Sequence, residues 1–583
     1  MYSHRDFFLK PKHPFHRQYE ALRAFYVEKK AAKQVAKQFG FSENYFNKLR
    51  SHFHQTLEQS QMPNIFATPT PGRNQKVIEP NVTQQVISLR KMNHSIVDIK
   101  AILDSKNIRL SQNQIDKILK ADGFTRLHRR SRVEKNQIQL PAKIKPPKCR
   151  QLAKLDFIHA QKFDTRYGGV FLFLPLMEQL NLAQLIEQSD YPGTEQLSNL
   201  NYIFSFLFLK LIDKQRLSHV EQLSLDRGAG LFAGLNVLPK NSSLSSYSYK
   251  TTRSMNRVFL KSLFSAIQRI YPFSCDVNLD FTTIPHWGDA SVLERNWSGT
   301  RHTTLKSILA LVCQDPDSGF LVYSDAEVKH RTKDQEVLTF VDFWQECSQT
   351  PLKCLIFDSK FTTYQNLSRL NGDGVKFITL RRRGSSLIQK AEQLPDNQWI
   401  TVKINNPKRK HSSLKVNESE ISLQGYDGTL RQLIVKNTGR EKPSFIITND
   451  FEVQLKEVIL KYARRWLVEK SIAEQIDFFH LNLVGSSIVV KVDFDLTMTL
   501  LAYSLYKMLA KNLTGFERST AKNLFFDFID NGAEVEILNK KIFVSMRKKV
   551  HNSIILESEI FRQPVKIQRL NNLEVVFDSQ NTS

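Results

Sequence analysis

Apolar residues near the start of the chain recur at helical spacing. Tyr19, Leu22, Phe25 and Tyr26 share one face, and Val35, Phe39, Tyr45, Phe46 and Leu49 follow, so residues 17–53 are predicted helical. Gly40 can take the left-handed turn that ends one helix, and Ser42 can cap the next. This is helix-turn-helix punctuation, and the second helix presents Asn44, Asn47, Lys48 and Arg50, the donors a groove-reading helix needs. The pattern repeats after a linker rich in Pro, Thr and Asn. Val82, Val86, Ile87 and Leu89 lead to Ile96, Ile99, Ile102 and Leu103, then to Ile115, Ile118 and Leu119, with Ser111 as a cap and Gly123 as a stop. A basic tail of Arg126, His128, Arg129, Arg130 and Arg132 follows, with the four arginines as further DNA contacts. Residues 151–271 read as mainly helical and carry no recognisable chemistry.

From Cys275 the periodicity changes to strands. Val277 to Phe281 alternates and holds Asp280 near its end; Leu305 to Cys313 and Gly319 to Tyr323 follow, joined by the turn Asp315-Pro316-Asp317-Ser318-Gly319. A helix near 334–347, a buried strand ending at Asp358, a helix over 364–370 and a strand over 375–380 complete the order of a ribonuclease H-like fold. Residues 399–404, 414–423, 432–435 and 445–447 are predicted strands of a β-rich insertion. One long helix is expected from Gln454 to about Leu483, and another, apolar on one side, from Val489 to Lys511.

The fold class is therefore multidomain α + α/β. Helix-turn-helix units occupy 1–60 and 81–135, with a linker over 61–80, a basic linker over 136–150 and the mainly helical region over 151–271. The ribonuclease H-like α/β catalytic core begins over 272–395, is interrupted by the insertion over 396–450 and resumes as helices over 451–515, before a C-terminal region over 516–583.

Charge sharpens this picture. The 583 residues carry 83 Lys and Arg against 57 Asp and Glu, a net +26. The first 150 hold 29 basic and 11 acidic residues, an excess of 18, so the N-terminal quarter is the expected nucleic-acid arm. The longest apolar stretch, Tyr202 to Ile212, is broken by Ser205 and Lys210 and is too short to span a membrane. No charged-then-apolar leader opens residues 1–16, and the five cysteines show no CxxC spacing. A cytoplasmic protein without structural zinc or disulfides is expected.

Three carboxylates carry the candidate chemistry: Asp280 and Asp358 at strand ends, and Glu469 on the long helix. Phosphodiester hydrolysis and strand transfer use divalent ions, and Mg2+ or Mn2+ prefers hard carboxylate oxygens, so no His or Cys cluster is needed. On a continuous helix at about 100° per residue, Tyr462, Arg465 and Glu469 fall on one face. A surface Arg–Glu pair at i, i+4 is the competing reading of that face.

Tyr-x2-Arg-x3-Glu at Tyr462, Arg465 and Glu469 resembles the C-terminal signature of bacterial insertion-sequence DDE transposases with a β-rich insertion, of the insertion-sequence-four type. The run Leu279-Asp280-Phe281-Thr282-Thr283-Ile284-Pro285-His286-Trp287-Gly288 resembles the block around that family's first Asp, and Ile356-Phe357-Asp358-Ser359-Lys360-Phe361 the block around its second. The acids are 78 and 111 residues apart, which leaves room for the insertion. Two positions depart from the family pattern: Ile476 stands where a Lys is common, and Lys360 where a Gly is usual.

The resemblance implies a metal-dependent transposase. Its N-terminal units would bind the terminal inverted repeats of double-stranded DNA. Asp280, Asp358 and Glu469 would hold two Mg2+ or Mn2+ ions, and Tyr462 and Arg465 would contact DNA. The core would cut the element ends and join them to target DNA, with a homodimer on paired ends, in the bacterial nucleoid. The alternative is a catalytically silent DNA-binding regulator derived from a transposase. His286, His480, Arg381, Arg382, Arg383 and Trp399 are secondary candidates, each open to an ordinary packing or surface explanation.

Overall fold

The computed structural model describes residues 4–58, 78–92, 94–124, 146–286, 293–298, 302–404, 413–439, 441–483 and 486–579. Its contacts separate two compact units, a smaller one ending at Thr83 and a larger one beginning at Gln84.

The smaller unit is helical: α1 (His4–Leu9), α2 (Pro14–Tyr26), α3 (Ala32–Phe39) and α4 (Glu43–Glu58). Gly40 closes α3 at φ 66°, a conformation that opposes any side chain, and its N–H donates to the carbonyls of Ala36 and Lys37. Ser42 Oγ accepts from the Tyr45 N–H at 3.2 Å and so starts α4. Leu22, Val35, Phe39 and Phe46 are buried between the helices and give this unit its own core.

Three further helices follow: α5 (Pro80–Lys91), α6 (Ile96–Ser105) and α7 (Gln112–Ala121). Reciprocal capping boxes start α6 at Ser95 and Asp98 and α7 at Ser111 and Gln114. Within the larger unit, the Lys329 ammonium donates to the Ser105 carbonyl at the end of α6.

The strands of the larger unit form two sheets. β1 (Gln161–Thr165) belongs to the smaller of these. The larger contains β2 (Asp276–Pro285), β3 (Arg295–Ser298), β4 (Thr303–Gln314), β5 (Leu321–Val328), β6 (Cys354–Ile356) and β7 (Lys376–Leu380). Around β2 the order is β5-β4-β2-β6-β7, with β4 antiparallel to its neighbours and β2, β6 and β7 parallel. The strands of residues 396–450 are β8 (Ile400–Lys403), β9 (Ser413–Ile421), β10 (Leu430–Lys436) and β11 (Ser444–Thr448). They continue the same sheet, because β11 pairs antiparallel with β7 and β10, β9 and β8 follow in turn. Ile446, Leu433 and Val416 thereby join the hydrophobic layer that covers Ile356 and Ile378.

The helices of the larger unit include α8 (Asn199–Leu211), α9 (Arg253–Ile270), α10 (Glu336–Cys347) and α11 (Tyr364–Gly372), of which α9 packs on β5 and α11 on β7. They are followed by α12 (Leu455–Ala463), α13 (Trp466–Asp477) and α14 (Val489–Asn512). The expected one-sided apolar face of α14 is corrected: it runs along β5 and packs on α8 and α9, so it is buried on nearly every side. Such a helix needs its polar groups paired. Asp493, 1% exposed, is bonded to Arg253 at 2.9 Å, and Arg253 also pairs with Asp325 of β5 at 2.8 Å.

The second sheet has the order β1-β12-β13-β15-β14, where β12 is Ala533–Leu538, β13 Lys541–Met546, β14 Val565–Ile567 and β15 Leu573–Ser579. It draws a strand from the helical region and four from the C-terminal region. One continuous hydrophobic cluster joins both regions to the central sheet, running from Phe171 and Phe208 through Leu279 and Phe377 to Val544 and Val575.

Candidate active site

The first two acids are placed by strand register. β2 and β6 run parallel, with Asp276 opposite Cys354, Val277 opposite Leu355 and Asn278 opposite Ile356. Two residues further along each strand lie Asp280 and Asp358. Alternation places Asp280 on the face of Asn278, in the middle of β2 and not at its end as expected, while Asp358 follows the carboxyl end of β6, the side on which parallel α/β sheets carry their ligand sites. Each carboxylate is steadied by the next backbone N–H. Phe281 N–H donates to Asp280 Oδ1 at 2.9 Å, and Ser359 N–H to Asp358 Oδ1 at 2.7 Å.

The third acid arrives through a break in the expected long helix. α12 ends at Ala463 and α13 begins at Trp466, so the continuous helix expected from Gln454 to Leu483 is corrected to two helices with Arg464 and Arg465 at their junction. Both arginines are good helix formers, and the cause of the break lies in tertiary contacts. Asn278, fully buried on β2, donates Nδ2–H to the Arg464 carbonyl at 3.1 Å, and Lys461 pairs with Asp276 at 3.0 Å. These bonds fasten the junction to the strand that carries Asp280.

Arg465 thereby lies between two of the acids. It donates to Asp280 Oδ2 at 3.1 Å and to Glu469 Oε1 at 2.5 Å. The i, i+4 Arg–Glu pair of the competing reading is present, with Glu469 half-exposed at 51%, but Arg465 is only 18% exposed and reaches Asp280 as well. Burial pushes the Asp280 carboxyl up to about 6; Arg465 pulls it down, while Glu469 and Asp358 push it up. For Arg465 burial works to lower the guanidinium, but Asp280, Tyr462 and Glu469 outweigh it and hold it above its ordinary value. Tyr462 also packs against the hydrophobic layer of Ile356 and Ile459.

The acids are thus neighbours, but no three His, Cys, Asp or Glu side chains among the described residues converge into a ready ligand group. Asp358 does not touch the Arg465 pair. It borders a cavity of about 300 Å³ with Ser359, Thr363, Thr379 and Arg382. The donor set still suits a hard cation: two carboxylates share the Arg465 guanidinium and a third, Asp358, has no cation paired with it among the described residues, and divalent Mg2+ or Mn2+ takes such oxygen ligands.

Sequence reasoning missed Asn278, which positions the helix junction, and the ring pair Phe281–Phe361, stacked at 4.2 Å and 8° between the two acid-bearing segments. An alternating strand pattern marks both only as core positions. Of the secondary candidates, Arg382 stands closest to the acids and donates to the Ser359 carbonyl at 3.2 Å. Arg381 and Arg383 bond Gln432 and the Pro443 carbonyl. Trp399 donates to the Leu394 carbonyl and lies under the Lys436 ammonium, while His480 pairs with Asp213. His286 donates its backbone N–H to Lys306. Ile476 packs into the core.

In the smaller unit Asn44, Asn47 and Lys48 are exposed on α4. Arg50 behaves differently, because its guanidinium lies over the Phe25 ring at 3.8 Å. Arg126, Arg129, Arg130 and Arg132 lie outside the described residues. No described helix is long and apolar enough to cross a membrane.

Residues 279–505 match the family model described as "Transposase DDE domain", and this region spans Asp280, Asp358, Arg465 and Glu469. No curated protein matches the chain. Among solved structures, the chain is similar to the piggyBac transposase of a synaptic complex with hairpin DNA determined by cryo-electron microscopy. That similarity has 12% identity and a TM-score of 0.32, over 63% of this chain and 82% of the other.

Proposed function

We propose that this protein is a DNA transposase that cuts DNA at the ends of its element and joins those ends to a target. The observation that carries the reading is Glu469 tied to Asp280 through Arg465, with Asp358 just past the end of the parallel strand that pairs with β2, inside the region that matches a transposase DDE domain. The strand order β5-β4-β2-β6-β7, with only β4 reversed, is that of a ribonuclease H-like core.

The transposase DDE domain family generally uses divalent metal ions. Here Asp280, Asp358 and Glu469 would hold Mg2+ or Mn2+, most simply two ions, which when bound supply an activated water and stabilise the leaving oxygen. The remaining work falls to the chain. Arg465 offers a planar pair of N–H donors beside the acids, suited to gripping a DNA phosphate bidentately. Arg382 adds positive charge on the Asp358 side. Asn278 holds the helix junction so that Arg465 and Glu469 stay over Asp280. The carboxylates must be ionised to act, and burial pushes the Asp280 carboxyl up to about 6, so it loses its proton later than an ordinary Asp.

The two basic helical segments, α1–α4 and α5–α7, serve as helix-turn-helix readers of the terminal inverted repeats, with Asn44, Asn47 and Lys48 as base-edge or phosphate donors. Arg50, stacked on Phe25, stabilises the reading helix. Two copies would act on paired ends.

The test is a product assay. Purified protein is incubated with Mg2+, a labelled duplex of the inverted repeat flanking its own coding sequence, and a target plasmid. Cut ends joined to the plasmid support the transposase; cutting without joining indicates a nuclease. Binding with no cut product, in Mg2+ or Mn2+, identifies the catalytically silent regulator and refutes the proposal.

A further inference from the structure

The ladder between β2 and β6 stops short of the acids. Its last pair is Asn278 with Ile356, and β6 is only three residues long. Beyond it, the Phe357 N–H turns away to the Ile378 carbonyl on β7. Among the described residues no hydrogen bond or ion pair runs between 279–285 and 357–361. The bonds from Phe281 N–H and Ser359 N–H orient each carboxylate on its own backbone, but they do not fix one backbone against the other.

What crosses the gap is aromatic. Phe281 directly follows Asp280. Phe361 closes the turn after Asp358, its N–H donating to the Asp358 carbonyl at 3.1 Å. The two rings lie nearly parallel, 8° apart with centroids 4.2 Å apart, and Phe361 also leans on Phe357 at 5.4 Å. Phe361 is 2% exposed, so its ring has one position available. Both rings pack into the main hydrophobic cluster.

We propose that Phe281 and Phe361 are positioning residues whose stacked rings set the separation of Asp280 and Asp358, and hence the affinity of the acid pair for a divalent ion. The inference rests on the metal-dependent reading above. A site that must hold its ligands within about 0.5 Å depends on the packing behind them. A ring pair resists changes in spacing better than an aliphatic contact, because flat faces meet over a wide area at one distance. Loss of either ring frees the same gap, so the two substitutions should act as one.

The experiment titrates Mn2+ into the full-length protein and reads the free ion by electron paramagnetic resonance, for wild type, Phe281→Leu, Phe361→Leu, the double variant and the ring-retaining Phe281→Tyr. The clamp predicts that each leucine variant weakens Mn2+ binding about tenfold, the scale of supporting-residue effects at metal sites. The double variant should lose no more than either single one, and Phe281→Tyr should stay within about twofold of wild type. Melting curves are recorded in parallel, since a merely structural role would lower the melting temperature and leave Mn2+ affinity alone. Unchanged affinity in the leucine variants, or losses that multiply in the double variant, would overturn the clamp. A wild-type protein that binds no Mn2+ would remove the metal reading itself, a result distinct from either.

Discussion

Arg465 is the side chain on which the geometry of the acids turns. It reaches Asp280 and Glu469 together, whereas its neighbour Arg464 points to Asp317 and the Pro316 carbonyl. Arg465→Lys keeps the charge but loses the planar fork, so cleavage should fall by about tenfold or more while end affinity changes little. Arg464→Lys should behave as wild type, because an exposed pair contributes only about 0–1 kcal/mol. Near-normal cleavage by both variants would remove Arg465 from the site. Glu336, at the start of α10, yields a pH prediction. Burial, then Asp325, pushes its carboxyl up to about 7 against the pull of Arg253. The folded protein therefore holds a proton that the unfolded chain releases near pH 4.5. That contribution to stability is complete below pH 4.5 and is lost as pH rises through about 7. Glu336→Gln never ionises, so its melting temperature relative to wild type should climb between pH 5 and pH 8; a constant gap would contradict the buried-acid assignment.

Helix and strand signals of unequal strength explain what could be read from the chain. Gly40 and Ser42 announced the turn between α3 and α4 through local chemistry alone, and Ser111 did the same for α7. Gly40→Ala forces a side chain into the left-handed region and should cost about 1 kcal/mol. Hydrogen exchange should then quicken in α2 to α4 and stay unchanged in α14; protection unaffected in both would show that the turn carries no strain. The alternating apolar strands β2, β4 and β5 were legible for the same local reason. β1 and β3 were not, since Gln161–Thr165 and Arg295–Ser298 are short, polar and held by partners distant in sequence or by a hairpin. The helix break at Arg464 was also hidden, because Asn278 and Asp276 impose it from another element. The three acids could be picked out by spacing and residue type, yet the neighbourhood of Asp280 and Asp358 follows only from the β2–β6 register. That Arg50 stacks on Phe25 depends on the packing of α2 against α4, which periodicity does not encode.

The division after Thr83 sets how the protein can be dissected. The smaller unit has its own core, whereas α6 is tied to the larger unit through Lys329 and α14, so a cut between α4 and α5 respects the packing and a cut near 150 does not. Deleting residues 1–79, up to the start of α5, should lower end affinity and flatten its salt dependence, by about 0.9 in log–log slope for each phosphate that the shortened chain no longer neutralises. Metal-dependent cleavage at saturating DNA should survive, since every candidate acid lies in the larger unit. An unchanged salt slope would mean that the N-terminal excess of charge does not face DNA. The strands of residues 396–450 continue the central sheet through β7 and β11, and the C-terminal strands share the main core, so neither can be excised without exposing apolar surface. The most direct test of the account compares single-turnover cleavage and end binding by wild type, Asp280→Asn, Asp358→Asn and Glu469→Gln in Mg2+. The account predicts that each substitution lowers cleavage by about a hundredfold or more, with end affinity within about twofold of wild type. Cleavage near the wild-type rate by any one of them would contradict the three-acid centre.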